Sequence, residues 1–231
     1  MHARHLLLVM YLTLAGVAGE NVLIWPTEGS HWINLKYIIA GLMARGHDVT
    51  VATMSQWFVN NSESSAMKLE VFQVPFTHET TEAFLNNWLD VSLYQAPDLS
   101  FWGRYRVFSA LMAKGRELGM QVCDGILKNE ELVQRLREAK FKVLLSDPVQ
   151  VCGDLLALKL GVPLVFTLRF SRALLILSEL SDKMSFVERS QNVLYSFMYD
   201  WVFLRSWGDW DAYYSEASVH LVPQKAQCPV S

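Results

Sequence analysis

Residues 21–35, Asn-Val-Leu-Ile-Trp-Pro-Thr-Glu-Gly-Ser-His-Trp-Ile-Asn-Leu, constrain the fold more than any other stretch. An apolar run of strand composition stops at Pro26, and a short turn containing Gly29 follows. A helical pattern then opens at His31 and runs through Ile33, Tyr37, Ile38, Ala40 and Leu42. A strand that turns directly into a helix places its loop at the strand's carboxyl end, the edge where open α/β sheets hold ligands. His31 is the one residue of that loop whose side-chain type titrates near neutrality, so it is the candidate base. The competing reading is structural: a histidine that caps the helix or packs beside Trp32.

The pattern repeats downstream. Gly46 is placed to stop the first helix, and residues 47–53 alternate and β-branch as a second strand. A Ser- and Asn-rich loop spans 55–65, and residues 68–74 form a third strand closed by Pro75. Residues 80–91 read as a helix, with Pro97 breaking the pattern. A long amphipathic pattern covers 99–138, loosened by Gly115 and Gly119, and its charged last turns are a solvated face. Residues 142–147 are a buried strand ending at Asp147. A helix over 151–160 stops at Gly161, and a strand follows over 163–168. This alternation predicts a doubly wound α/β domain, a mostly parallel Rossmann-like sheet with helices on both faces. No G-x-G-x-x-G follows the first strand, which argues against a dinucleotide enzyme.

Asp147 stands where His31 stands, at the carboxyl end of a core strand and before a helix. All such ends share one edge of a parallel sheet, so the two side chains can be neighbours despite their distance in sequence. A carboxylate bonded to one imidazole nitrogen fixes the tautomer and balances the charge formed when the other nitrogen takes a proton. By itself Asp147 also reads as a helix N-cap; with His31 it makes a catalytic dyad.

Beyond residue 168 the turn chemistry fades, and from about residue 180 the chain is helical and aromatic. Leu194, Phe197, Met198, Trp201 and Val202 share one face, read as core, with membrane contact as the lesser alternative. Residues 219–231, with Pro223 and Pro229, form an irregular tail. At the other end, Arg4, the apolar run 6–14 and the small residues Gly16 and Ala18 read as a secretory signal over residues 1–18. That run is too short to span a bilayer, and no later stretch reaches the needed length of about 20 apolar residues. Asn60-Asn61-Ser62 is a glycosylation sequon at Asn60, which suits a lumenal chain. Cys123, Cys152 and Cys228 lack metal-ligand spacing, and Cys152, inside an apolar helix pattern, reads as a buried small hydrophobe. A formal charge of −3 gives no electrostatic case for nucleic acid.

Several stretches together resemble the vertebrate UDP-glucuronosyltransferases. They are Asn21-Val-Leu-Ile, Gly29-Ser-His-Trp-Ile-Asn, Ala44-Arg-Gly-His-Asp-Val-Thr-Val, Asp147 with Cys152, Gly161-Val-Pro-Leu-Val, Ser178-Glu-Leu-Ser-Asp-Lys-Met-Ser-Phe and Trp210-Asp-Ala-Tyr-Tyr-Ser-Glu. The resemblance implies the N-terminal, acceptor-binding domain of a GT-B glycosyltransferase over residues 19–218, facing the lumen of the endoplasmic reticulum. It implies His31 as the base and Asp147 as its partner, with Gly29, Ser30 and Trp32 as substrate contacts. A small hydrophobic acceptor, the co-substrate UDP-glucuronic acid and no metal or other cofactor complete what it implies. Nothing after Glu216 resembles a donor-binding domain, and a Pro-rich segment usual before Ser178 is missing. The expectation is therefore a truncated half, inactive alone. The alternative is a non-catalytic chain that associates with full-length glucuronosyltransferases, or contacts a membrane, through its aromatic helix.

Overall fold

The computed structural model describes residues 19–27, 30–54, 67–167 and 183–221, with the side chains of residues 30 and 218–221 left aside. The signal-like stretch, Gly29, the Asn60 sequon, the segment 168–182 and Cys228 lie outside the described residues.

Five strands form one sheet: β1 (Asn21–Trp25), β2 (Asp48–Thr53), β3 (Lys68–Val71), β4 (Val143–Ser146) and β5 (Leu164–Phe166). Their spatial order is β3-β2-β1-β4-β5, and every pairing is parallel. The chain winds outward from β1 through β2 to β3, then returns to β1's other side and winds out through β4 to β5. Because parallel crossovers are right-handed, the two winds put their helices on opposite faces. Between them α1 (Ser30–Met43) connects β1 to β2, and α5 (Gly153–Leu160) connects β4 to β5. The other helices are α2 (His78–Asp90), α3 (Phe101–Leu127), α4 (Glu130–Glu138) and α6 (Phe186–Leu221).

The period-two alternation of β1 sorts the core into two layers. Val22 and Ile24 meet Trp32, Leu35 and Ile39 of α1 together with Val49 and Val51 of β2. Leu23 and Trp25 face the other way, into a cluster with Val122 and Ile126 of α3, Leu132 and Leu136 of α4, and Leu155 and Leu156 of α5. Strands buried on both faces explain the near-continuous hydrophobic runs seen in the sequence.

The structure corrects several expectations. The buried face of α1 is Trp32, Leu35 and Ile39, whereas Ile33, Tyr37 and Ile38 are exposed. Both sides of this helix are apolar, so periodicity alone could not choose between them. The long pattern over 99–138 is two helices. Lys128 ends α3, and Asn129 caps α4 by accepting the Leu132 N–H at 3.0 Å. Gly119 does not loosen α3: a Cβ there would lie 3.1 Å from the Trp210 ring and 3.2 Å from Val151, so the glycine lets α6 pack closely. The third strand ends at Val71, and α5 starts at Gly153, two residues later than the apolar pattern suggested. The helical backbone of α6 continues to Leu221, past the expected start of an irregular tail at 219. Cys152 is buried, but it forms a disulfide with Cys123 of α3 and is not a lone hydrophobe. Spacing gave no hint of this pair, because the two residues meet only once α3 lies across β4 and α5.

A glycine at the start of α5 lets that helix sit against the sheet. A Cβ on Gly153 would collide with Ser146 Oγ, lie 2.8 Å from Ser146 Cβ and 3.0 Å from Trp25 Cδ1. Gly153→Ala should therefore lower unfolding stability by about 1–3 kcal/mol, the usual cost of overpacking. Gly208→Ala on α6, with nothing within 4 Å, should be neutral or stabilise by up to about 1 kcal/mol through helix propensity. Urea unfolding of both variants checks the contrast.

Candidate functional site

The parallel register of β1 and β4 builds the site. Trp25 pairs with Ser146, so the two strands end level with one another at the carboxyl edge. This is also where the winding direction reverses, the crevice in which open α/β sheets bind ligands. His31 lies in the first turn of α1, just past the β1 loop, and Asp147 directly follows β4. Their side chains meet across the crevice, with His31 Nδ1 2.6 Å from Asp147 Oδ2.

Asp147 is held from several directions. Its Oδ1 accepts the Val149 N–H at 3.0 Å, and its carbonyl accepts the Gln150 N–H at 3.1 Å, an Asx-type turn. It does not cap α5, which begins six residues later at Gly153, so the N-cap reading does not hold. The Asp147 side chain is 4% exposed and that of His31 is 21% exposed. A buried carboxylate is costly unless paired and hydrogen-bonded, and here each oxygen has a donor in reach. With Nδ1–H donated to Asp147, the basic nitrogen of His31 is Nε2.

The segment from Asp147 to α5 is tied down along its length. Trp25 Nε1–H donates to the Val151 carbonyl at 3.0 Å, and the Trp25 ring stacks on Phe72 with centroids 5.7 Å apart. Cys152 adopts a left-handed conformation (φ 74°) and is bonded to Cys123. Its N–H is taken by Tyr214 Oη of α6 at 3.3 Å, and Tyr214 in turn donates to Asp154 Oδ1 at 2.7 Å. Tyr213 donates to Asp124 of α3 at 2.8 Å. Beside this segment a cleft of about 290 Å³ is walled by Pro148, Val151, Phe166, Trp207, Trp210 and Tyr214. Sequence reasoning missed both the tyrosine ties, which pair residues 60 to 89 positions apart, and this aromatic wall, which joins residues of separate elements. The Trp210-Asp-Ala-Tyr-Tyr run was the one signal available.

The expected site residues thus divide. His31 and Asp147 are brought together. Trp32 turns into the core at 6% exposed, with its Nε1 lacking a partner among the described residues, and so does not stand on the open rim. Ser30 opens α1, while Gly29 and Asn60 lie outside the described residues. Among the described residues, no group of three or more His, Cys, Asp or Glu side chains is arranged to hold a metal ion. No described helix is long and apolar enough to cross a membrane.

A doubly wound parallel sheet with a His–Asp pair at its switch point defines an α/β domain whose carboxyl edge holds an imidazole hydrogen-bonded to a carboxylate. Residues 20–175 match the family model described as UDP-glucoronosyl and UDP-glucosyl transferase, and the chain belongs to that family. It is 38% identical to UDP-glucuronosyltransferase 2A2 of Homo sapiens, over 91% of this chain and 43% of that protein. It is 40% identical to UDP-glucuronosyltransferase 2A1 of Rattus norvegicus, over 92% of this chain and 44% of that protein. The chain therefore spans less than half the length of these relatives. Among solved structures it is similar to the glycotransferase of kitacinnamycin, with a TM-score of 0.43 and 18% identity over 90% of this chain and 43% of that one. So loose a likeness adds nothing to the family assignment, which the sequence carries.

The tyrosine ties give a pH test. Burial first, then hydrogen bonds to Asp124 and Asp154, push the Tyr213 and Tyr214 hydroxyls above the ordinary phenol range. A raised folded-state value means that the unfolded chain loses these protons first. The stability they provide is complete below the ordinary phenol value near pH ~10 and is lost as pH rises beyond it. Urea midpoints measured from neutral pH to above 10 should fall more steeply for the wild type than for a Tyr213→Phe/Tyr214→Phe variant.

Proposed function

We propose that this chain supplies the acceptor-binding, base-bearing part of a UDP-glucuronosyltransferase. That enzyme would transfer glucuronic acid from UDP-glucuronic acid to a hydroxyl group of a small hydrophobic acceptor. The observation that carries the reading is the 2.6 Å pairing of His31 with a buried, backbone-anchored Asp147 at the switch point of the sheet. An alcohol or phenol is a weak nucleophile until a base takes its proton. In the proposed step the acceptor O–H gives its proton to His31 Nε2, and the oxygen forms a bond to C1 of the sugar. The bond from C1 to the UDP oxygen breaks, UDP leaves with the electron pair, and the anomeric centre inverts. Asp147 holds the Nδ1–H tautomer and balances the imidazolium charge. The aromatic cleft beside Asp147 supports a hydrophobic acceptor, since such sites are mostly apolar with a few placed polar groups.

The donor would bind chiefly to a second domain, corresponding to the part of the relatives beyond the match, in a GT-B arrangement. The lumen of the endoplasmic reticulum is the proposed compartment. It is supported by the signal-like residues 1–18, the Asn60 sequon and the Cys123–Cys152 disulfide, which belongs to an oxidising environment.

Fusing this chain to the remaining part of rat UDP-glucuronosyltransferase 2A1 tests the reading. His31→Ala should lower glucuronide formation by about 10²–10⁴-fold, the usual share of a general base, while acceptor affinity stays nearly unchanged. Equal loss of turnover and affinity would make His31 a structural residue. The 231-residue chain by itself should form no glucuronide and bind UDP-glucuronic acid weakly or not at all, as isothermal titration calorimetry would read. Should the chain instead be a non-catalytic partner, adding it to a full-length relative would change that enzyme's turnover while the fusion stayed inactive.

A further inference from the structure

We infer that a slot at the carboxyl ends of β1 and β2 receives a second, uncharged oxygen of the acceptor, with Thr27 as the specificity-determining residue that donates to it. The inference rests on the function proposed above and narrows it to one class of acceptor. That class is a hydrophobic molecule with a hydroxyl or carbonyl oxygen away from the hydroxyl that reacts. The starting point is a buried atom: Thr27 Oγ1 is shielded from solvent and has no hydrogen-bond partner among the described residues. A buried hydroxyl left unpaired has given up its bonds to water and received nothing in return. Such groups are few in folded proteins, so this one points to an occupant, either a water or a ligand.

The cavity beside Thr27 decides what fits. It measures about 20 Å³, with buried Trp25, Ala52 and Phe72 as its floor and partly exposed Pro26, Met54 and Gln150 at its rim. A water-sized group needs on the order of 10–15 Å³, so the slot takes one polar heavy atom and no ring. No charged side chain lines it, and an ion buried without a counter-charge is costly, so the guest oxygen is neutral. The slot also belongs to the same edge as the dyad. Thr27 lies in the loop that leads from β1 to the helix carrying His31. Gln150 lies in the turn after Asp147, with its N–H on the Asp147 carbonyl at 3.1 Å. The same Gln150 walls the aromatic cleft, so an acceptor skeleton held in the cleft has the slot as its neighbour across one side chain.

The test measures binding to the full chain, produced in a secretory host, by isothermal titration calorimetry. The probes are 2-naphthol, with one hydroxyl, and 1,6-, 2,6- and 2,7-dihydroxynaphthalene, which place a second hydroxyl at different points of the same rings. An added hydroxyl ordinarily weakens entry into an apolar site, because it must leave water. Here at least one diol should bind about tenfold tighter than 2-naphthol, the upper worth of a hydrogen bond to a neutral group. Thr27→Val, the same shape without the hydroxyl, should erase that margin, and Thr27→Ser should keep it. A chain that binds 2-naphthol but favours no diol overturns the slot and leaves the acceptor-binding reading standing. A chain that binds neither kind of probe contradicts that reading, and the slot falls with it. A margin that survives Thr27→Val, or that Thr27→Ser also loses, overturns the role of Thr27. If Thr27→Val lowers the urea midpoint and changes no affinity, a resident water is the occupant and the proposal is overturned. Should Thr27→Val fail to fold, Thr27→Ala takes its place, with Thr27→Ser as the control.

Discussion

The level ending of β1 and β4 is the constraint from which the rest of the site follows. With Trp25 paired to Ser146, the next residues of both strands leave the sheet at the same height and turn to opposite faces. No other adjacent pair of strands in this sheet diverges in that way, because β1–β2 and β4–β5 each belong to a single wind. The crevice is therefore a consequence of strand order. Histidine and aspartate fill it because Asp147 directly follows β4 and His31 lies in the first turn of the helix that follows β1.

A crevice alone would leave Asp147 on a loop free to move. The segment that follows it is instead fastened on three sides: to β1 by the Trp25 indole, to α3 by the Cys152 disulfide, and to α6 by Tyr214. Gly153 completes the arrangement by letting α5 press against Ser146. These ties use helices far along the chain, so the packing of α6 against α3 and α5 reaches the dyad through a few named contacts. Holding a reacting group within a fraction of an ångström of its working position needs this kind of support from surrounding contacts.

The sequence made the architecture legible where local pattern and global packing agreed. All five strands, the helix stop at Gly46 and the closing of α5 at Gly161 could be read from composition and turn chemistry. His31 and Asp147 were legible because a parallel sheet forces strand ends onto one edge, so a rule of topology replaced contact information. The buried face of α1 was not legible, since Ile33 and Ile38 are as apolar as Leu35 and Ile39. The same ambiguity misled the reading of α6, where Phe197 and Trp201 were grouped with Met198 and Val202 but lie in solvent. A helix that is apolar around most of its circumference hides which face is core. The disulfide and the tyrosine ties depend on how three helices stack, which local sequence does not encode.

The central claim is that Asp147 fixes His31 as the Nδ1-protonated tautomer, with Nε2 the basic atom. Nitrogen-15 NMR of the full chain labelled at histidine reads this directly. The account predicts that neutral His31 carries its proton on Nδ1, with a strongly downfield N–H resonance that disappears in Asp147→Ala while the fold persists. A neutral His31 protonated at Nε2, or a downfield resonance unchanged in Asp147→Ala, would contradict it.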